Sequence, residues 1–171
     1  MWSEQIIMML LEGIKDTLYM TLTSTLIGYV IGLPMGILLT VTDKDGIHPN
    51  AAVYKVLDVI ANLIRSVPFL ILLIVLIPFT RFLIGRSYGP TATIVPLVIA
   101  AAPYIARMVE SSLKEVDAGV IEAARSMGAS NFTIVTKVML VEARTSLIVG
   151  ATISLGTILG YSAMAGTVGG G

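Results

Sequence analysis

Three stretches of this sequence run the length of a membrane crossing without a charged side chain. Thr17 to Val41 spans 25 residues, Ser87 to Ala106 spans 20 and Thr145 to Gly171 spans 27. A helix needs roughly 20 mostly apolar residues to cross the hydrocarbon core of a bilayer. Lipid offers the backbone no hydrogen-bond partners, so such stretches are expected to be helical. A fourth candidate, Val59 to Thr80, carries one charge, Arg65. Placed near the start of that stretch, its side chain is expected to snorkel to the headgroups. The pattern predicts an all-α integral membrane protein, a polytopic bundle of transmembrane helices with four spans. Only 13% of the residues are charged, about half the ~25% of an ordinary soluble domain.

Composition removes several kinds of chemistry. The formal net charge is zero, so no basic surface for nucleic acid is expected. There is no cysteine and the one histidine is His48, which excludes disulfides, thiolate chemistry and a multi-histidine metal site within one chain. The start, "MWSEQIIMMLLEGIKD", lacks the basic beginning of a signal peptide. Ile6, Ile7, Leu10, Leu11 and Ile14 recur at helical spacing, and fit either a helix lying in the interface or an extension of the first span.

Basic residues orient the spans. Alternation puts Lys15, Arg81 and Arg86 on one side, and Lys44, Lys55, Arg65, Arg107, Lys114, Arg125, Lys137 and Arg144 on the other. The side with eight is expected to be cytoplasmic. The N-terminus and Gly171 then lie outside, and the loop from Leu113 to Leu140 lies inside. Val41 to Ala51 and Gly85 to Thr91 read as turn-rich loops on the two sides.

Within the spans, Gly28, Gly32 and Gly36 fall on one helix face, a spacing that lets helix backbones approach closely. Pro34 is expected to kink that helix. Pro68, Pro78, Pro96 and Pro103 lie in the second and third spans; they suit a bundle that rocks, and also occur in static ones. The last span combines Gly150, Gly156 and Gly160 with Thr152, Ser154, Thr157, Ser162 and Met164. It is read either as the lining of a path for a neutral or zwitterionic solute, or as hydroxyls bonded to their own helix beside packing glycines.

The segment "IEAARSMGASNF", Ile121 to Phe132, differs from its surroundings. Asp117 is a candidate N-cap, with Val120, Ala124 and Met127 following at helical spacing. Gly128 is placed to end the helix, and Ser130 to cap the next one. A short helix of about ten residues is predicted, flattened by Ala123 and Ala124 and carrying both signs of charge at Glu122 and Arg125. Such a helix suits a groove in another protein.

The order Glu122-Ala123-Ala124, three residues, Gly128, then Val138 and Leu140 resembles the EAA motif of ABC-importer permeases. Val138 stands where that motif has isoleucine, and Val141 where it has proline, which removes an expected kink. "RSVPFLILLIVLIPFTR" from Arg65, "AAPYIARMVESSL" from Ala101 and "GYSAMAGTVGGG" from Gly160 extend the likeness, most closely to methionine-importer permeases, over nearly the whole chain. The resemblance implies a homodimer with the substrate path along its interface. It implies an ATP-binding-cassette ATPase that receives Glu122, Ala123, Ala124, Arg125 and Gly128 as the coupling helix. It also implies a substrate-binding protein at the outer face, and no cofactor. Met164 matches a residue that closes the path, and Gly160, Tyr161 and Ser162 accompany it as candidate path residues. The family's fifth span is missing here, so the single permease domain, residues 1–171, is expected to be C-terminally incomplete relative to the family.

No catalytic constellation is evident. "GTVGGG" lacks the lysine of a phosphate-binding loop, so ATP hydrolysis is expected on a separate subunit. Glu110, Glu115 and Asp117 are expected in a solvated loop rather than as an acid site. The expected function is methionine transport across the cytoplasmic membrane. The alternatives are a permease for another small amino acid or polar solute, and a non-transporting membrane scaffold.

Overall fold

A computed structural model describes residues 4–170, all of whose regular elements are helical. The first helix, α1, is continuous over 39 residues, Glu4–Thr42, with Pro34 inside it. The apolar residues near its beginning therefore extend the first span. A loop leads to α2 (Ala51–Ser66), which is capped by the Asn50 side chain accepting from the Val53 amide. Two short helices follow, α3 (Phe69–Val75) and α4 (Ile77–Ile84), and then α5 (Pro90–Lys114). The short helix α6 (Ala118–Ser126) leads into a continuous but irregular segment. That segment comprises α7 (Asn131–Thr133), a π-helical stretch (Ile134–Met139) and α8 (Leu140–Glu142). The last helix is α9 (Arg144–Gly166).

Three of these helices, α1, α5 and α9, are long and apolar enough to cross a membrane unbroken. The second predicted span takes a different form. Its helix begins at Ala51 rather than Val59, and the chain bends by 102° between α2 and α3. The cause is local: a residue before proline is pushed out of the helical region, and Val67, preceding Pro68, is extended (φ −87°, ψ 125°). Pro78 lies in the first turn of α4, where its missing N–H costs nothing. Counting the bent pair as one crossing gives four.

Side-chain pairings fix the helix directions. Along α1, Gly28, Gly32 and Gly36 meet α5 at Ala101, Ala102 and Ala106 in turn, so these two helices run parallel. Tyr54 and Asp58 of α2 meet Glu110 and Arg107 of α5, in antiparallel order. Ser146 and Thr157 of α9 meet Ser112 and Tyr104, again antiparallel. The alternation α1, α2, α5, α9 is what a chain threading back and forth across a bilayer requires.

The glycine face of α1 is a true contact. A Cβ on Gly32 would come 2.7 Å from the Ala102 carbonyl oxygen, and one on Gly36 would come 2.6 Å from that of Ala106. Only hydrogen fits there, so two backbones pack at a distance that larger residues forbid. In α9, Gly150 packs near Met108, whereas Gly156 and Gly160 face open space. The α9 hydroxyls of Thr152, Ser154 and Thr157 donate to carbonyls four residues back, satisfying their own helix. The last span ends at Gly166 rather than at the final glycines. The chain then turns so that Gly89 N–H donates to the Gly169 carbonyl and Thr93 Oγ1 donates to that of Gly170. Met1 to Ser3 and Gly171, and with them the two predicted terminal positions, lie outside the described residues.

Candidate functional site

At the end of the bundle where α1 and α5 finish, the linker between α5 and α9 folds into the cap predicted from its sequence. The Asp117 carboxylate accepts from the Gly119 amide at 2.7 Å and starts α6. Gly128 ends it with φ +82°, a conformation glycine adopts without strain. The amides of Ala129 and Gly128 donate to the carbonyls of Ala124 and Arg125, the paired bonds of a Schellman stop. Ser130 Oγ accepts from the Thr133 amide and opens the next helix. The result is a rigid nine-residue helix.

Its faces differ. Ala124 is buried and belongs to one apolar cluster with Ile105, Val109 and Leu113 of α5, Ile134 and Met139, and Ile158 of α9. Glu122, Ala123 and Arg125 are exposed. Arg125 donates to the Ile47 carbonyl at 2.8 Å, tying the helix to the α1–α2 loop. Met127 and Phe132 bracket Gly128 and are 82% and 78% exposed. Two large apolar side chains thus stand exposed beside the smooth helix. Only Met127 was visible in the sequence as part of an apolar stripe; the exposure of Phe132 depends on the turn. A cleft of about 620 Å³ separates α6 from the end of α1, with Asp43, Lys114, Glu122 and Arg125 on its walls.

A charged network lies behind that cleft. Arg107 pairs with Asp58 of α2 and, at 2.7 Å, with Glu110. Lys114 reaches Glu110 and Asp43, each at 2.7 Å, and sits 5.8 Å from the centre of the Tyr54 ring. The Tyr54 hydroxyl donates to Glu110 at 3.4 Å, and the Asn62 side chain accepts from Arg107 at 3.0 Å. The hydrogen bond from Lys114 is the largest influence holding the Asp43 carboxyl below its usual range. Glu110 therefore departs from expectation. It lies inside α5 and is 5% exposed, because two cations and a phenol satisfy it there. Glu115 and Asp117 follow the helix and stay solvated. The i,i+3 and i,i+4 spacings of Arg107, Glu110 and Lys114 were readable in the sequence; the reach to Asp43 and Asp58 was not.

At the other end of α9, the candidate path residues are brought together only in part. Ser162 is buried, donates to the Leu159 carbonyl and accepts from Thr21 of α1. Tyr161 stacks on Phe69, with ring centroids 4.6 Å apart and planes at 8°. Gly160 and Met164 point away from these contacts, Met164 being 45% exposed on the free face of α9. Arg65 is also displaced from its expected place. Because α2 starts at Ala51, Arg65 lies near the end of that helix, beside Ala100 and Tyr104 at the middle of α5.

Comparison with known proteins adds context. Residues 7–171 match the model of the binding-protein-dependent transport system inner membrane component family. The chain is 52% identical over 164 residues to the D-methionine transport system permease protein MetI of Salmonella typhimurium, covering 96% of this chain and 76% of the relative. Identity and coverage are the same for the protein of that name from Escherichia coli K12. A probable MetI of Vibrio cholerae is 45% identical, over 95% of this chain and 72% of the relative. Among solved structures, the inward-facing MetNI methionine ABC transporter superposes with TM-score 0.97 at 51% identity, covering 99% of this chain and 79% of its counterpart. An amino acid ABC transporter solved with histidines matches with TM-score 0.72 at 23% identity, over 99% and 78%, and shares the fold.

Proposed function

This chain belongs to the binding-protein-dependent transport system inner membrane component family, and on that footing we propose that it is the membrane-spanning subunit of an ATP-driven methionine importer. Two copies enclose the path, a binding protein delivers methionine to the outer face, and a separate ATPase subunit hydrolyses ATP. The chain itself is not an enzyme. We read residues 1–171 as one permease domain in the inner membrane, with its N-terminus outside. The Leu113–Leu140 segment then faces the cytoplasm, the side toward which seven of the eleven basic residues fall once Arg65 is placed deeper in the bundle.

The observation that carries this reading is the double character of α6. One face is exposed and flanked by Met127 and Phe132; the other buries Ala124 in a cluster shared by α5 and α9. A force on the exposed face therefore reaches both spanning helices through close-packed side chains, which shift as units rather than deform. When ATP binding draws the two ATPases together, the docked helices move with them. The ends of α5 and α9 then tilt and the path opens outward. Glu122, Ala123, Ala124, Arg125 and Gly128 form the coupling element. Met164, on the free face of α9, meets its counterpart across the dimer axis and closes the path between strokes, with Gly160, Tyr161 and Ser162 shaping its approach.

Replacing Gly128 with Asp tests the coupling role. Nothing lies within 4 Å of a Cβ at that position, and although a side chain is strained at φ +82°, Asp tolerates the left-handed region better than most residues. The fold should persist while a charge appears at the docking face. The expected result is a normal amount of protein in the membrane and no ATP-dependent methionine uptake. Uptake at the wild-type rate contradicts the reading.

A further inference from the structure

Behind the bend between α2 and α3 is a cavity of about 180 Å³. Its walls include Arg65 from the end of α2, Phe69 and Leu72 from α3, Ala100 and Tyr104 from α5, and Tyr161 from α9. Water takes ~30 Å³ per molecule in the liquid, so the space suits one small solute. Ala100 and Tyr104 straddle the midpoint of α5, a spanning helix of 25 residues. The guanidinium is therefore attached well inside the bundle's length and not at its rim.

Arg65 is chemically out of place there. Among the described residues it forms no ion pair and no hydrogen bond, whereas Arg107, two turns further along on the facing helix, is held by Asp58 and Glu110. Arg65 is exposed in the structure; if the bundle spans a bilayer as proposed above, it lies at membrane depth, where an arginine is costly and marks a water-filled cavity or a substrate pathway. A planar guanidinium matches a carboxylate by a two-pronged hydrogen bond. Opposite it, the Tyr104 hydroxyl lies a long 3.4 Å from the Thr157 hydroxyl, whose own proton goes to the Ile153 carbonyl, and Tyr161 spends its ring on Phe69 while its hydroxyl has no partner among the described residues. The remaining walls, Phe69, Leu72 and Ala100, are apolar. A thioether is soft and packs well against aromatic rings.

We propose that this cavity holds the transported amino acid in transit, with Arg65 taking the carboxylate, Tyr104 and Tyr161 offering hydroxyls to the polar end, and Phe69 and Leu72 receiving the side chain. The proposal rests on the reading of the chain as a methionine permease and adds where the solute pauses and what recognises it. The bend at Pro68 gains a purpose: it turns α3 across the mouth of α2 and brings Arg65 and Phe69 to one cavity.

The test uses the permease in its complex with the ATPase, reconstituted in liposomes, and a diazirine analogue of methionine as photo-probe, with labelled peptides mapped by mass spectrometry. Label is expected on α3, α5 and α9 around Phe69, Tyr104 and Tyr161. Excess L-methionine should displace it; methioninol, which lacks the carboxylate, should not. Arg65→Gln should cut labelling about tenfold or more, the loss expected when a hydrogen bond to a charged group is removed, and Arg65→Lys should restore part of it. Co-purification of each variant with the ATPase checks assembly. Equal competition by methioninol on the wild-type complex overturns the proposal without any variant. So does labelling of Arg65→Gln at the wild-type level, the result expected if Arg65 merely reached lipid phosphate. Methionine uptake by the wild-type complex is measured alongside. Absence of uptake counts against the function proposed above, whereas uptake with either of the contrary labelling results counts against this site alone.

Discussion

Two of the helices packed on α5 hold it by opposite means. Toward α1 the contact is made by absent side chains: Gly28, Gly32 and Gly36 let the α1 backbone close on Ala101, Ala102 and Ala106, with Ile105 and Val109 filling the flanks. Toward α2 it is made by charge, with Asp58, Arg107, Glu110 and Lys114 linked in one chain of ion pairs that reaches Asp43 at the end of α1. The first contact has no alternative arrangement, since a shift of either helix opens voids or drives atoms into backbone. The second consists of long side chains that exchange partners over a few ångströms. Its Asp43–Lys114 end also lines the cleft behind α6. A permease needs both kinds: a seam that keeps its fold while helices tilt, and a seam that yields where the driving force enters.

Breaking the charged contact should have the largest effect. Arg107→Met leaves Glu110 buried beside one remaining cation and Asp58 without its partner. Losing one of the two cations on buried Glu110, which keeps Lys114, together with the Asp58 pair costs about 1.5–3 kcal/mol, read as a lower midpoint of thermal unfolding in detergent. Gly36→Val comes next. Its new methyl groups meet the Ala106 carbonyl and Val109, and overpacking of this kind costs ~1–3 kcal/mol, with no dependence on salt. The same thermal assay in high salt sharpens the comparison, because added ions screen the partly exposed ion pairs and leave the glycine seam untouched.

Asp43 gives the smallest and most specific effect. Its folded-state pKa is depressed by Lys114, so its contribution to stability is present above its unfolded value. That contribution is lost as the pH falls through the lower folded value. At neutral pH Asp43→Asn should cost at most ~1 kcal/mol, since the Lys114 head is partly solvated. The variant should show a flatter decline of stability with acid than the wild type. An identical acid profile in the two proteins would remove Asp43 from the network.

How much of this was readable from the chain alone follows from the range of the interactions. The continuous spans, the glycine face and both caps of α6 depend on neighbours within four residues or on lengths of apolar sequence. Asp117, Gly128 and Ser130 stand where their local chemistry placed them. The bend at Pro68 was also local, yet a mostly apolar composition concealed it, and Arg65 was therefore placed near the start of a span rather than near the end of α2. Glu110 was assigned to a loop because its stabilising partners, Tyr54 and the network through Arg107 to Asp58, come from a helix more than fifty residues earlier. In the candidate site, the exposed faces of Glu122 and Ala123 were legible, whereas Phe132 and the Phe69–Tyr161 stack required the tertiary fold.

On the proposed function, the exposed face of α6 is the surface an ATPase covers. The sequence contains no cysteine, so Ala123→Cys creates a single reporter thiol on that face. The measurement is its rate of maleimide labelling in the permease alone and in complex with the ATPase. Ready labelling alone and strong protection in the complex are expected, while a thiol placed at Tyr88, on the loop at the other end of the bundle, labels equally in both. Equal labelling at position 123 with and without the ATPase would contradict that assignment.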